Sequence, residues 1–219
     1  MTWHSGPVWL FDLDNTLHNA TPHIFPHINR GMTEYLAQHL DVPLDEANRL
    51  RLDYWHRYGA TLSGMMRHHG TDPHHFLWHT HQFPQLHRMV VFEPGLKPML
   101  RRLPGRKIVF SNAPRRYAEA VLDVLGIRRM FDAIYAIEHL RFRPKPQIQG
   151  FLQLLKNERV AASRCIMVED NADNLRTANS LGMRTVLVAG TGDTKRTPAW
   201  VDLRLQSILE LPRRMGRLA

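Results

Sequence analysis

The sequence predicts an α/β fold: a Rossmann-like parallel sheet with helices on both faces, plus an inserted helical cap domain. Three observations predict it. Four short runs, VWLF (8–11), KIVF (107–110), CIMV (165–168) and TVLV (185–188), are apolar almost throughout and rich in β-branched or aromatic residues. Such runs suit strands buried on both faces, as in parallel sheets. Helical patterns alternate with the later runs, and strand–helix alternation is the signature of a doubly covered sheet. Between the first two runs, residues 20–90 contain amphipathic helical stretches and no convincing strand.

The first run, VWLF, passes directly into Asp12-Leu13-Asp14. The insert follows, with helical stretches at IFPHINRGMTEYLAQHL, at PLDEANRLRLDYWHRYG and around TLSGMMRHHG. A further helix is expected from TDPHHFLW, where Asp72 can cap and Pro73 can occupy the first turn. The insert is too long and too regular for a loop. It divides the chain into a core (1–18 and 91–219) and a cap (19–90). The second run ends in Ser111-Asn112, and PRRYAEAVLDVL (114–125) reads as a helix bounded by Pro114 and Gly126. A weaker strand is expected at AIYAI (133–137). The run CIMV ends in Glu169-Asp170, and a helix at 172–181 stops before Gly182.

Composition narrows the function without choosing it. The 219 residues carry a net charge of +9, a field that draws anions such as phosphates. No apolar run approaches the ~20 residues that cross a bilayer, and MTWHSGPVWLFDLD has no basic leader, so a cytoplasmic location is expected. The single cysteine, Cys165, sits at the edge of an apolar run and reads as a buried thiol.

In open parallel sheets the chemistry collects beyond the carboxyl ends of the strands. Asp12 and Asp14 lie one residue apart and point the same way. Carboxylates that close repel unless a cation joins them. A hard cation such as Mg²⁺ takes oxygen ligands, and Glu169-Asp170 is the other acidic strand end able to supply them. Ser111 and Asn112, just before a helix start, suit phosphate oxygens; the other reading of Asn112 is that it braces the turn. Lys145, between two prolines, is the cation best placed to complete such a cradle.

These elements in this order resemble the haloacid dehalogenase superfamily of phosphohydrolases: DLDNT at 12–16, Ser111 at a strand end, Lys145 before Pro146, and Glu169-Asp170 before a helix. The resemblance implies that Asp12 is the nucleophile and Asp14 the general acid/base. It implies catalytic roles for Ser111 and Lys145. Mg²⁺ would be bound by Asp12, the Asp14 main-chain carbonyl and Asp170, with Glu169 as a ligand or a supporting partner. The segment YWHRYGATLSGM (54–65) is similar to a cap motif of pyrimidine 5′-nucleotidases. That implies UMP- or CMP-like substrates, with Tyr54 or Tyr58 stacking on the base; the other reading of these tyrosines is packing within the cap. A phosphatase or mutase for small sugar phosphates is the first alternative. The second is a basic nucleic-acid-binding protein on an inactive scaffold, against which the intact set of motifs argues. No membrane partner is expected, and oligomeric state is not legible.

Fourteen histidines are present, seven of them between 68 and 87. His75 and His79 can share a helix face. Nitrogen ligands do not suit Mg²⁺, so this cluster is expected on the cap surface, apart from the catalytic metal.

Overall fold

In a computed structural model, residues 6–190, 194 and 196–218 are described; residues 1–5, 191–193, 195 and 219 of the expected core lie outside this range. Strand β1 (Val8–Phe11) is buried along its whole length, because it lies inside a six-stranded sheet of order β3-β2-β1-β4-β5-β6. The other strands are β2 (Arg106–Phe110), β3 (Ala133–Tyr135), β4 (Cys165–Glu169), β5 (Arg184–Val188) and β6 (Leu203–Leu205). All adjacent pairs are parallel. The order reverses direction between β1 and β4, and such a switch point opens a crevice at the carboxyl ends of its two strands. Phe11 stands opposite Val168 in that pair, so the residues that follow β1 and end β4 meet at the crevice.

Alternation along the strands feeds two cores. Trp9, Phe11, Val109, Ile166 and Val168 face one side; Val8, Leu10, Ile108, Phe110 and Met167 face the other. The first side is covered by α6 (Leu96–Arg102), α7 (Arg115–Val124) and α10 (Leu211–Arg214). The second is covered by α8 (Ile148–Glu158) and α9 (Ala172–Ser180). Cys165 is fully buried, and burial pushes its thiol up to about 12, consistent with a packing role.

The segment between β1 and β2 contains α1 (Ile24–Leu40), α2 (Leu44–Tyr58), α3 (Thr61–His69), α4 (Pro73–Thr80) and α5 (Leu86–Met89) before α6. Asp72 caps α4 by accepting from the His74 N–H at 2.9 Å. Asn19 donates its N–H to the Val91 carbonyl at 2.7 Å, so the chain leaves and re-enters the sheet layer side by side. Helices α2 and α3 approach closely at Gly64. A Cβ there would lie 2.2 Å from Tyr54 Cγ, near the root of a buried side chain that cannot swing aside. Gly64→Ala is therefore expected to destabilise the protein by about 1–3 kcal/mol, read as a lower urea midpoint at unchanged slope.

Strand β6 and helices α5 and α6 go beyond the sequence reading, and the strand expected at 133–137 stops at Tyr135. Pro114 precedes the first turn of α7 in extended conformation rather than opening it.

Candidate active site

The main chain continues past β1 with the Asp12 N–H donating to the Val168 carbonyl at 2.9 Å. Leu13 turns into the core with no exposure. Asn15 then adopts the left-handed region, φ 61°, which Asn tolerates better than most residues. Its Oδ1 accepts from the Ala20 N–H (3.0 Å) and the Thr21 hydroxyl (3.1 Å). This closed turn directs the Asp14 side chain back toward α7.

Lys145 reaches the sheet edge from the loop before α8 and is 2% exposed. Its ammonium donates to Asp12 Oδ1, Glu169 Oε2 and the Phe110 carbonyl, each at 2.7 Å. Those are all three of its protons. Burial acts to lower the Lys145 ammonium, but Asp12 and Glu169 outweigh it and hold it above its ordinary value. The second Glu169 oxygen accepts from the Asn171 N–H at 3.2 Å. Both oxygens of Glu169 are thus engaged, whereas Asp12 keeps Oδ2 free of partners among the described residues.

The charges do not balance. Asp12, Glu169 and Asp170 crowd one point, with donor oxygens all within 4.8 Å of one another, against one ammonium. Burial, then the Glu169 charge, pushes the Asp12 carboxyl well above the usual carboxylate range. Burial does the same to Glu169, and burial followed by the Asp12 charge raises Asp170. A divalent cation would supply the missing positive charge, and a donor set made only of carboxylate oxygens suits Mg²⁺. The residues therefore fit such an ion. The hydrogen bonds favour Asp12 and Asp170 as its ligands and leave Glu169 as the partner of Lys145.

Asp14 is held separately. Its Oδ1 accepts from the Tyr117 hydroxyl at 2.6 Å and lies 2.9 Å from His18 Nε2. Oδ1 is the acceptor in both contacts, so His18 donates through Nε2 and a proton carried by Asp14 would sit on Oδ2. The His18 side chain is fully buried, and its Nδ1 has no partner among the described residues. Burial, then the Asp14 charge, pushes the Tyr117 phenol far above its ordinary range, so it stays protonated as a donor. The end of α4 and the loop after it rest on α7: Arg116 stacks over Trp78 at 4.3 Å, and Phe83 lies 5.1 Å from Tyr117. Burial pushes the nearby His81 imidazole down to about 4.

The structure thus brings together Asp12, Lys145, Glu169 and Asp170, with Asp14 next to them. Ser111 is buried beside them, and its hydroxyl oxygen accepts from the Ala113 N–H at 3.0 Å. Asn112, which could bond phosphate or brace the turn, has both ends of its amide on the Lys145 main chain: Oδ1 accepts from the Lys145 N–H (2.7 Å) and Nδ2 donates to its carbonyl (3.0 Å). In this arrangement it braces the lysine loop. Tyr54 and Tyr58 are not part of the cluster. Their hydroxyls pair with His69 (2.7 Å) and His68 (2.6 Å) between α2 and α3. Tyr117 and His18 are the site residues that sequence reasoning missed. Tyr117 falls on the core face of an amphipathic helix, and nothing in the linear sequence distinguishes it from packing. Beside Asp170 opens a cleft of about 590 Å³, lined also by Asn15, His18, Phe92 and Ser207.

The sequence profile of the haloacid dehalogenase-like hydrolases matches residues 8–182. The chain is 25% identical over 195 residues to Phosphate metabolism protein 8 of Saccharomyces cerevisiae, covering 82% of this chain and 60% of that protein. It is 35% identical over 69 residues to Fructose-1-phosphate phosphatase YqaB of Escherichia coli, covering 32% of this chain and 36% of that enzyme. The chain thus spans less than two thirds of either relative. Among solved structures, a HAD phosphatase from Thermococcus onnurineus superposes with a TM-score of 0.69 at 20% identity, over 96% of this chain and 98% of that one. The 2-haloacid dehalogenase from Pseudomonas syringae superposes at 0.64 and 22% identity, over 98% and 100%. At these identities the likeness establishes the fold.

Proposed function

The chain belongs to the haloacid dehalogenase-like hydrolases, and from that premise we propose that it is a Mg²⁺-dependent phosphatase of small phosphate monoesters. The single observation that carries this is the asymmetry at Asp12. One carboxylate oxygen is fixed by Lys145, and the other has no partner among the described residues at the sheet's switch point, beside a second acid, Asp14, whose Oδ1 is independently held.

In the proposed reaction Asp12 Oδ2 attacks phosphorus. The bond to the ester oxygen breaks, and Asp14 gives its proton to the departing alcohol. Asp14, now a carboxylate, takes a proton from water as that water attacks phosphorus, releasing phosphate and restoring Asp12. Lys145 offsets charge on the cluster throughout, and Glu169 keeps it in place. Asp12, Asp170 and the Asp14 main-chain carbonyl would hold Mg²⁺, which supplies charge neutralisation for a phosphoryl group approaching a carboxylate. Residues 19–90 act in this reading as a cap over the core formed by 1–18 and 91–219. An acid at position 14 favours phosphoryl transfer over dehalogenation, since halide leaves without a proton.

Nucleoside 5′-monophosphates such as UMP and CMP are the proposed substrates, on the resemblance of residues 54–65 to the pyrimidine nucleotidase cap motif. Small sugar phosphates are a second reading, favoured by the similarity to the E. coli enzyme whose name gives fructose-1-phosphate as its substrate. A phosphate-release panel run with Mg²⁺ and with chelator separates the two. Turnover of UMP and CMP above that of hexose phosphates supports the first, and the reverse order replaces it with the second. No phosphate release from any monoester in Mg²⁺ overturns the phosphatase reading.

Two further outcomes follow from the site. Tyr117→Phe removes one of the donors on Asp14, so kcat should fall by about tenfold or more while KM stays near its original value, measured on the best substrate of the panel. The raised carboxyls of Asp12, Glu169 and Asp170 also set a pH dependence of stability. Because the folded state holds their protons more tightly than the unfolded chain, their contribution is full below the ordinary carboxylate range and declines as pH rises through their raised values. In chelator, thermal midpoints should therefore show this loss between about pH 4 and 7. Mg²⁺ should raise the midpoint at pH 8 and hardly at all at pH 4.5.

A further inference from the structure

A second cluster of ligand-type side chains lies away from the acids, on the helical insert. His39, at the end of α1, faces His75 and His79 of α4, and all three are exposed. Their ring centres are 5.3 Å (39–75), 4.3 Å (75–79) and 6.5 Å (39–79) apart. With metal–nitrogen distances of about 2.1 Å, imidazoles sharing one ion at tetrahedral angles have ring centres about 5 Å apart. The three separations bracket that value.

Tyr35 sets the protonation of one ring and can accept a proton from a second. His39 Nδ1 lies 2.9 Å from the Tyr35 carbonyl. A carbonyl only accepts, so the proton sits on Nδ1 and Nε2 keeps its lone pair. His75 Nδ1 lies 2.8 Å from the Tyr35 hydroxyl; when the ring donates there, its Nε2 is likewise free. A ring fixed through one nitrogen so that the other presents a lone pair is the usual arrangement of metal-bound histidine. The Tyr35 ring also stacks under His39 at 3.8 Å and 10°, which holds that imidazole in place. His79 has ring contacts but no hydrogen bond among the described residues, so it is free to turn. Some turning is needed. Among the described residues, the one trio whose donor atoms all lie within 4.8 Å of one another is Asp12, Glu169 and Asp170.

We propose that His39, His75 and His79 form a binding site for a divalent transition cation of the Zn²⁺ type, which clasps α1 to α4. The site is distinct from the acidic one in ligand chemistry: imidazole nitrogens select Zn²⁺, Ni²⁺ or Cu²⁺, and Mg²⁺ prefers oxygen. Three protein ligands leave a coordination position open to water.

The test is calorimetric titration of Zn²⁺ into the untagged, chelator-stripped full chain, at pH 7.5 in excess Mg²⁺ to occupy the carboxylates. One equivalent should bind with micromolar affinity and raise the thermal midpoint. His79→Gln and, on the other helix, His39→Gln should each weaken binding by tenfold or more, while His68→Gln should leave it unchanged. These exposed positions allow the variants to fold, which their midpoints without Zn²⁺ verify. The proposal is overturned if no saturable binding appears in the wild type, or if His39→Gln and His79→Gln bind Zn²⁺ as the parent does.

Discussion

Asp12→Asn should yield a folded protein whose turnover is lower by about four orders of magnitude or more, the scale expected when a covalent nucleophile is lost. The amide is isosteric with the carboxylate, so the shape of the site is kept. Lys145 retains Glu169 and the Phe110 carbonyl as acceptors. One of three mutually repelling acids, two of them buried, has become neutral, so stability should be unchanged or raised. That combination separates loss of a reacting group from loss of structure. A thermal midpoint at or above the parent's, with phosphate release reduced to the background of the assay, is the expected result.

Lys145→Met should behave in the opposite way with respect to stability. The side chain is 2% exposed, and methionine fills much the same space. Removing the ammonium leaves Asp12 and Glu169 buried with no counter-charge. Breaking a buried pair by deleting one partner typically costs about 3–5 kcal/mol, and here one cation serves two acids. Urea unfolding in chelator should show a loss on that scale, partly recovered at pH 5, where the acids take up protons. Activity should fall as well, by roughly 10²–10³-fold, as for other single groups that stabilise transition-state charge. Lys145→Arg is not a conservative test, because the planar guanidinium does not match three acceptors arranged around one nitrogen.

The two variants also show which parts of the molecule could be read before its structure was known. Four strands were legible because they lie inside the sheet, where both faces are buried and the sequence becomes continuously apolar. β6 was not: it is a three-residue edge strand, Leu203–Leu205, with Arg204 at its centre, and it exists through its pairing with β5. Asp12, Glu169 and Asp170 were legible as a cluster because each sits at or just after the end of a strand, and parallel strands carry their ends to one edge. Lys145 was legible through its order in the series rather than through its local sequence. Tyr117 and His18 were not legible, since their meeting with Asp14 is a property of the turn at Asn15 and of how α7 packs. Asn112 shows the same limit at the scale of one amide: a strand-end position fixes where the side chain starts, but the main chain of Lys145 decides what it bonds. The histidine pair on α4 was visible at its four-residue spacing, and the third ring, His39, comes from another helix.

The most direct measurement is acid quench of the enzyme during turnover of its best substrate, followed by mass spectrometry of the peptide spanning residues 8–20. The account predicts a peptide heavier by one PO₃ unit, with the added group on Asp12, absent in Asp12→Asn and lost on mild base treatment as an acyl phosphate. Active enzyme that carries no phosphoryl group on Asp12 at any quench time, or that keeps its full rate as Asp12→Asn, would contradict it.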